Sequence, residues 1–193
     1  MIIGITGQIG GGKSTAAQIL SSFGGMVIDA DLIGRRVVDE SDELKRQIGE
    51  SFGEDIFDSE GRLLRSLLAE RAFRSEQTTV ELNAIVHPFL LAELRKRIKA
   101  AAELGHVIVD AALLLFWGMG SEVDLVLVIH AGLELRLKRL VSRGISPADA
   151  QARQAAQLPF RDFQKRADIL ILNSGTRTDL KRKLKTFWEK SVS

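Results

Sequence analysis

The chain has 193 residues, no cysteine, a formal net charge of +2, and 45% hydrophobic and 27% charged residues. That length suits one full-sized core. The missing thiols exclude disulfides, thiolate metal sites and cysteine nucleophiles. So small a net charge argues against a nucleic-acid partner unless the basic residues are concentrated in one place. No basic leader precedes the apolar start, and the longest apolar runs, "AALLLFWGMG" and "LVLVI", fall well short of a membrane span. The expectation is a soluble, cytoplasmic protein with neither a membrane nor a nucleic-acid partner.

In chain order, "MIIGIT" is short, apolar and β-branched and predicts a buried strand. "KSTAAQILSSF" has helical spacing and is ended by Gly24-Gly25. "MVIDAD" predicts a second strand, with a helix over "LIGRRVVDE". Residues 52–103 hold no convincing buried strand and are rich in helix formers, so they predict a helical insert beside a sheet. "HVIVDA", "DLVLVIHA" and "ADILILN" then repeat the pattern of an apolar run closed by a polar residue. Such runs suit a parallel sheet covered on both faces. "SRGISPADAQARQAAQLPFRDFQKR", rich in charges, separates the last two strands. "RTDLKRKLKTFWEK" predicts a closing helix with Leu180, Leu184 and Trp188 turned inward. The predicted fold is α/β: about five parallel strands wrapped by helices in a single unit, with excursions over about 52–103 and 139–166.

Gly7, Gly12, Lys13 and Ser14 satisfy G-x-x-x-x-G-K-[ST] between a predicted strand and a predicted helix. Glycines let successive N–H groups wrap around phosphate oxygens, with a helix N-terminus behind them. Lys13 can reach the β- and γ-phosphates, and the Ser14 hydroxyl can ligate Mg²⁺. The loop is therefore read as a nucleoside-triphosphate cradle, with Gly10, Gly11 and Thr15 among its contacts.

Three further groups carry two readings each. Asp31, beside Asp29 at the end of the second strand, can accept the proton of an attacking hydroxyl or cap the helix from Leu32. Asp110 can hold Mg²⁺ through water or simply end its strand. Arg136, Arg139 and Arg143 recur beside an apolar stripe of Leu137, Leu140 and Val141. They can close over a polyphosphate, with the 139–166 excursion as a water-excluding cover, or form a solvated face. His87, before Pro88, reads by default as a cap where a helix opens.

With these residues in place, the chain resembles the dephospho-coenzyme A kinase family over nearly its whole length. The likeness is carried by "TGQIGGGKST", "IDADLIGR", "VHP", "RLKRLVSRG", "RQAAQLP" and "ADILILNSG", in that order. The resemblance implies a P-loop NTPase fold with an acceptor-binding insert and a lid. It implies ATP and dephospho-coenzyme A as substrates and Mg²⁺ as cofactor. It also implies roles: Asp31 as the carboxylate facing the ribose 3′-hydroxyl, Arg35, His87 and Asp110 toward the acceptor, Arg139 and Arg143 toward phosphate, and Asn173 near adenine. Two departures stand out. Ala112 replaces a proline usual after the third strand, with no glutamate following, and Gly11 replaces a common serine, a change read as conservative because the backbone N–H does the work. A nucleoside- or nucleotide-type kinase is the alternative. A GTPase-like switch would need Asn-Lys-x-Asp, whereas Asn83 and Asn173 are followed by Ala84 and Ser174.

Overall fold

A computed structural model describes residues 1–192. Five strands, β1 (Ile2–Thr6), β2 (Met26–Asp29), β3 (Val107–Asp110), β4 (Leu125–His130) and β5 (Ile169–Leu172), form one parallel sheet in the order β2-β3-β1-β4-β5. All five fall where the apolar runs place them. The first strand lies at the centre, and its carboxyl end marks the point where the chain has wound outward on both sides, where ligands bind in open α/β sheets. Register brings Asp110 opposite both Ile5 and Asp29.

Two compact units divide the chain. The first comprises Met1–Asp29 together with the chain from Ile98 onward. Its core sets Ile3, Ile5, Ile108, Leu127 and Ile129 with α1 (Lys13–Ser21) and α9 (Arg177–Ser191). Helix α1 contributes Ala16, Ala17, Ile19 and Leu20; α9 contributes Leu180, Leu184, Phe187 and Trp188, the inward stripe that its spacing predicts. Each large apolar side chain contributes about 1.5–3 kcal/mol when fully buried. Thr176 and Asp179 close a capping box at the start of α9. Gly4 lies on the other face of β1, where a Cβ would sit 2.6 Å from Leu114, so the turns after β3 press directly on the backbone. Helices α6 (Leu133–Val141), α7 (Pro147–Ala155) and α8 (Phe160–Lys165) lie between β4 and β5 in sequence. Ser146 caps α7, and Pro147 occupies its first turn.

The second unit is Ala30–Arg97. It holds α2 (Ala30–Glu40), α3 (Asp42–Phe52), α4 (Arg65–Ala72) and most of α5 (Glu76–Ala102). Ile33, Val37, Leu44, Ile48, Ile56, Leu68, Leu90 and Leu94 are buried. A single antiparallel bridge, Phe57 to Leu63, interrupts the helical character. Asp55 and Arg71 pair at 2.7 Å, which holds the carboxyl below and the guanidinium above their ordinary pKa values through that hydrogen bond.

Two local expectations are corrected. The helix after β2 begins at Ala30 rather than Leu32, so Asp31 lies in its first turn, where a carboxylate favours the positive end of the dipole, and not at a cap. Pro88 does not open a helix: α5 runs from Glu76 to Ala102 with the proline inside it. The ring removes the bond that Ala84 C=O would accept and crowds that carbonyl, and Ala84 is exposed, so water can serve the freed oxygen. Among the described residues no helix is long and apolar enough to cross a membrane.

Candidate active site

The loop from Gly7 to Lys13 leaves the carboxyl end of β1 and enters α1 directly. Gly7 and Gly12 have φ of 141° and 101°. A Cβ would lie 2.3 Å from Ile129 O at Gly7 and 2.3 Å from Asn173 Nδ2 at Gly12, so both glycines are required twice over, by backbone and by space. Gly11 is also tight: a Cβ there would lie 2.8 Å from Ile129 O and 2.9 Å from Gln8 O. In this chain, therefore, space holds position 11 to glycine, because backbone oxygens of Ile129 and Gln8 fill the place a side chain would take.

The loop's own groups are organised around an open helix end. Gly11 N–H donates to Gln8 O at 3.0 Å, and Lys13 Nζ to Gly7 O at 2.9 Å. Helix α1 has no side-chain cap and no acid in its first turn, so its N-terminal dipole stands uncompensated. Ser14 is exposed and Thr15 half-buried in that turn.

The wall of the loop comes from α6 and the segment after β5. Arg139 donates through Nη1 to Gly10 O at 3.1 Å and Gly11 O at 3.4 Å, and through Nη2 to Asn173 O at 2.9 Å. Asn173, 5% exposed, donates Nδ2 to Gly11 O at 2.9 Å and its backbone N–H to His130 O at 2.7 Å. With Gly11 C=O drawn to that side, the N–H of Gly12 in the same trans peptide points the opposite way. Arg139, Arg143, Gly12, Thr15 and Asn173 line a cavity of about 120 Å³, and Arg177 at the start of α9 joins them. Burial and the neighbouring Arg143 charge pull the Arg139 pKa below arginine's ordinary value.

Arg136 departs from the predicted face. It is 4% exposed and donates to Ala131 O at 2.9 Å, to Ile9 O at 3.5 Å and to Gln154 Oε1, while Val141 of the expected apolar stripe is 43% exposed. Arg136 is thus an internal strut, and burial lowers its pKa from the usual value. Residues that sequence reasoning missed are Arg177, Gln8, Gln154 and Gln157. The last two stand within "RQAAQLP", a stretch that is noticeable in the sequence although nothing local in it shows what it touches.

Asp110, 8% exposed, ends β3 in register with the exposed Asp29. Asp31, Arg35 and His87 belong to the second unit. Asp31 and Arg35 are four apart on the exposed side of α2, opposite buried Ile33 and Val37. Arg65 fixes the backbone there, donating to Arg35 O at 3.1 Å and to Asp39 at 2.7 Å. His87 is half-buried in α5, and desolvation holds its imidazole pKa below the ordinary value, favouring the neutral ring.

A glycine-rich cradle at the switch point of a 2-3-1-4-5 parallel sheet, an uncapped helix behind it and guanidiniums beside it define a P-loop kinase. The sequence model of dephospho-CoA kinases matches residues 1–179, and the chain belongs to that family. It is 41% identical over 192 residues to the dephospho-CoA kinase of Corynebacterium diphtheriae, covering 98% of this chain and 96% of that one. A crystal structure from Thermus thermophilus superposes with a TM-score of 0.83 at 34% identity, covering 100% of this chain and 98% of the other. The dephospho-CoA kinase structure from Campylobacter jejuni gives 0.68 at 26%, covering 98% and 96%. The relative of that name in Mycobacterium tuberculosis is longer: the chain, 42% identical over 98% of its own length, spans 47% of it.

Proposed function

We propose that the chain transfers the γ-phosphoryl group of ATP to the ribose 3′-hydroxyl of dephospho-coenzyme A, releasing ADP and coenzyme A in the cytoplasm. The observation that carries the phosphate half of this reading is the cradle itself: an uncapped α1 N-terminus faced by Arg139, Arg143 and Arg177. Family membership supplies the acceptor.

The amides of Gly10, Gly12, Lys13, Ser14 and Thr15, with Gly7 and Gly11 shaping the turn, hold the phosphate chain. Lys13 and Arg143 neutralise charge that spreads over the equatorial oxygens during transfer. Arg139 keeps the loop carbonyls turned away while adding its own charge, and Asn173 locks the same wall on the adenine side. Asp31 accepts the proton of the attacking hydroxyl, and Arg35, neutral His87 and Asp110 orient the acceptor. Little covalent work is asked of the protein, since positioning and charge supply most of the acceleration.

The donor set at the loop also fits Mg²⁺. Ser14 offers an exposed hydroxyl, Asp110 a carboxylate at the adjacent strand end, and no cluster of three His, Cys, Asp or Glu side chains occurs among the described residues. Ser14 directly, and Asp110 through water, would hold an ion that keeps several waters and phosphate oxygens as ligands. Such an ion neutralises phosphate charge when bound.

The test is ADP release from Mg-ATP with dephospho-coenzyme A beside adenosine, AMP, UMP and shikimate, and with Asp31→Asn as control. Turnover only with dephospho-coenzyme A, and a fall of roughly 10²–10⁴ in kcat for the variant, is expected. Turnover with a nucleoside or nucleotide instead overturns the acceptor; acceptor-independent hydrolysis overturns the kinase reading.

A further inference from the structure

The segment between α6 and β5 is attached in an unusual way. From Ser142 to Arg166 only Ala150 and Phe163 are buried, so apolar packing holds it weakly. Apart from Arg166 Nη1, which donates to Leu115 O at 3.2 Å, its polar attachment is concentrated at one place. Gln157 Oε1 accepts from Ile9 N–H at 2.7 Å, and Gln8 Nε2 donates to Leu158 O at 3.1 Å. Each partner thus offers a side chain to the other's backbone, across a separation of 148 and 150 residues. Arg136 completes the clasp, donating to Ile9 O at 3.5 Å and to Gln154 Oε1 near the end of α7. Both the N–H and the C=O of Ile9 are therefore taken by side chains from beyond β4.

Gln8 is 4% exposed, and its Oε1 has no partner among the described residues. The Nε2 contact to Leu158 alone accounts for an amide in that buried place. Ile9 immediately precedes Gly10, where the phosphate-holding run of amides begins, so any displacement of Ile9 passes straight into the cradle. Donors aimed at a transferring phosphoryl group lose much of their effect when misplaced by an ångström.

Resting on the phosphoryl-transfer reading above, we propose that Gln8 and Gln157 are a pair of positioning residues, a reciprocal latch through which the 154–158 segment sets the phosphate loop in its working geometry. Neither touches the reacting atoms: Gln157 acts through the Ile9 amide, and Gln8 through its own backbone, whose carbonyl accepts the Gly11 N–H. The latch makes seating of that segment a condition for a correctly shaped cradle, so that transfer proceeds when the segment is closed and falters when it lifts. Within "RQAAQLP" the labour is divided. Gln154 engages the Arg136 strut, Gln157 engages the loop amide, and Leu158 offers the carbonyl.

The test uses Gln8→Met, Gln157→Met and the double variant, which keep side-chain length but remove the amide. Backbone hydrogen exchange is read in the unliganded full chain over residues 5–13 and 150–160, and kcat and KM are measured with Mg-ATP and dephospho-coenzyme A. Each single variant is expected to raise exchange at least tenfold in both segments. Each is expected to lower kcat at least tenfold, with KM for the acceptor changed less than threefold. The double variant should be no worse than the worse single, as for residues acting as one unit. Exchange confined to the mutated segment, an unchanged kcat, or multiplying losses in the double variant overturns the latch. If buried Gln8→Met does not fold, Gln157→Met at its part-exposed site decides the matter. If the wild type leaves dephospho-coenzyme A untouched, the functional reading fails on its own, and the exchange data still decide the latch.

Discussion

At Gly12 two independent demands meet: a backbone φ of 101° and an Asn173 amide nitrogen that would stand 2.3 Å from any added Cβ. Alanine there must adopt a left-handed conformation and also push aside the group that holds Gly11 O. Gly12→Ala is expected to cost about 1–3 kcal/mol of stability. It should also weaken Mg-ATP binding at least tenfold, measured by calorimetry on the folded fraction. Unaltered affinity would mean that Asn173 is not needed to shape the cradle. Arg139 illustrates the same economy: one guanidinium serves three carbonyls drawn from the loop and from the end of β5. Lysine, with a single ammonium, cannot reproduce that fork.

Among the elements, α9 shows how a polar-looking stretch can be structural. Its exposed face is basic, yet Leu180, Leu184, Phe187 and Trp188 seal one side of the sheet. Leu184 is fully buried, so Leu184→Ala is expected to lower stability by about 2–5 kcal/mol, lowering Tm by roughly 2–4 °C for each of them, with kcat at 25 °C unchanged in the folded fraction. Thermal scans beside steady-state rates check both halves. The strands and this helix were legible because continuous apolar runs and a clean stripe leave few alternatives. The phosphate cradle was legible because its glycines answer a backbone need. Other features were hidden for physical reasons. Pro88 normally signals a helix start, and only the long flanks of α5 carry the helix past it. Arg136 looks solvated from its spacing, but enough carbonyls converge on it to offset its burial. Gln8 and Gln157 matter through partners some 150 residues away, which no local pattern announces.

On the scale of the whole molecule, acid should be the weak side. Desolvation holds both His87 and His130 below the ordinary imidazole pKa, with the Arg136 charge a second cause at His130, whose ring also stacks on Phe160 at 3.6 Å. The unfolded chain then binds more protons than the folded one as pH drops below about 6.5. The stability that neutral histidines confer is complete above that value and is lost as pH falls through the unfolded pKa toward the folded ones. Denaturant midpoints should decline below pH 6.5, and His87→Gln should flatten that decline; an unchanged slope would remove His87 from the account.

The sheet order carries a consequence for how the molecule is made. β1 is made before both of its sheet neighbours, β3, beginning at Val107, and β4, beginning at Leu125. The phosphate loop therefore emerges attached to a strand that stays unpaired until Val107 and the residues after it have been synthesised, and loop closure over such distances is slow. The Ala30–Arg97 unit, by contrast, is one contiguous stretch and can take shape while the centre of the sheet still waits. Nascent chains halted before Val107 should already protect α3 and α4 from protease while the glycine loop is cut freely. Protection of the loop should appear only once His130 has cleared the exit tunnel. The nucleotide cradle is thus synthesised before the strands that flank it and completed only after them.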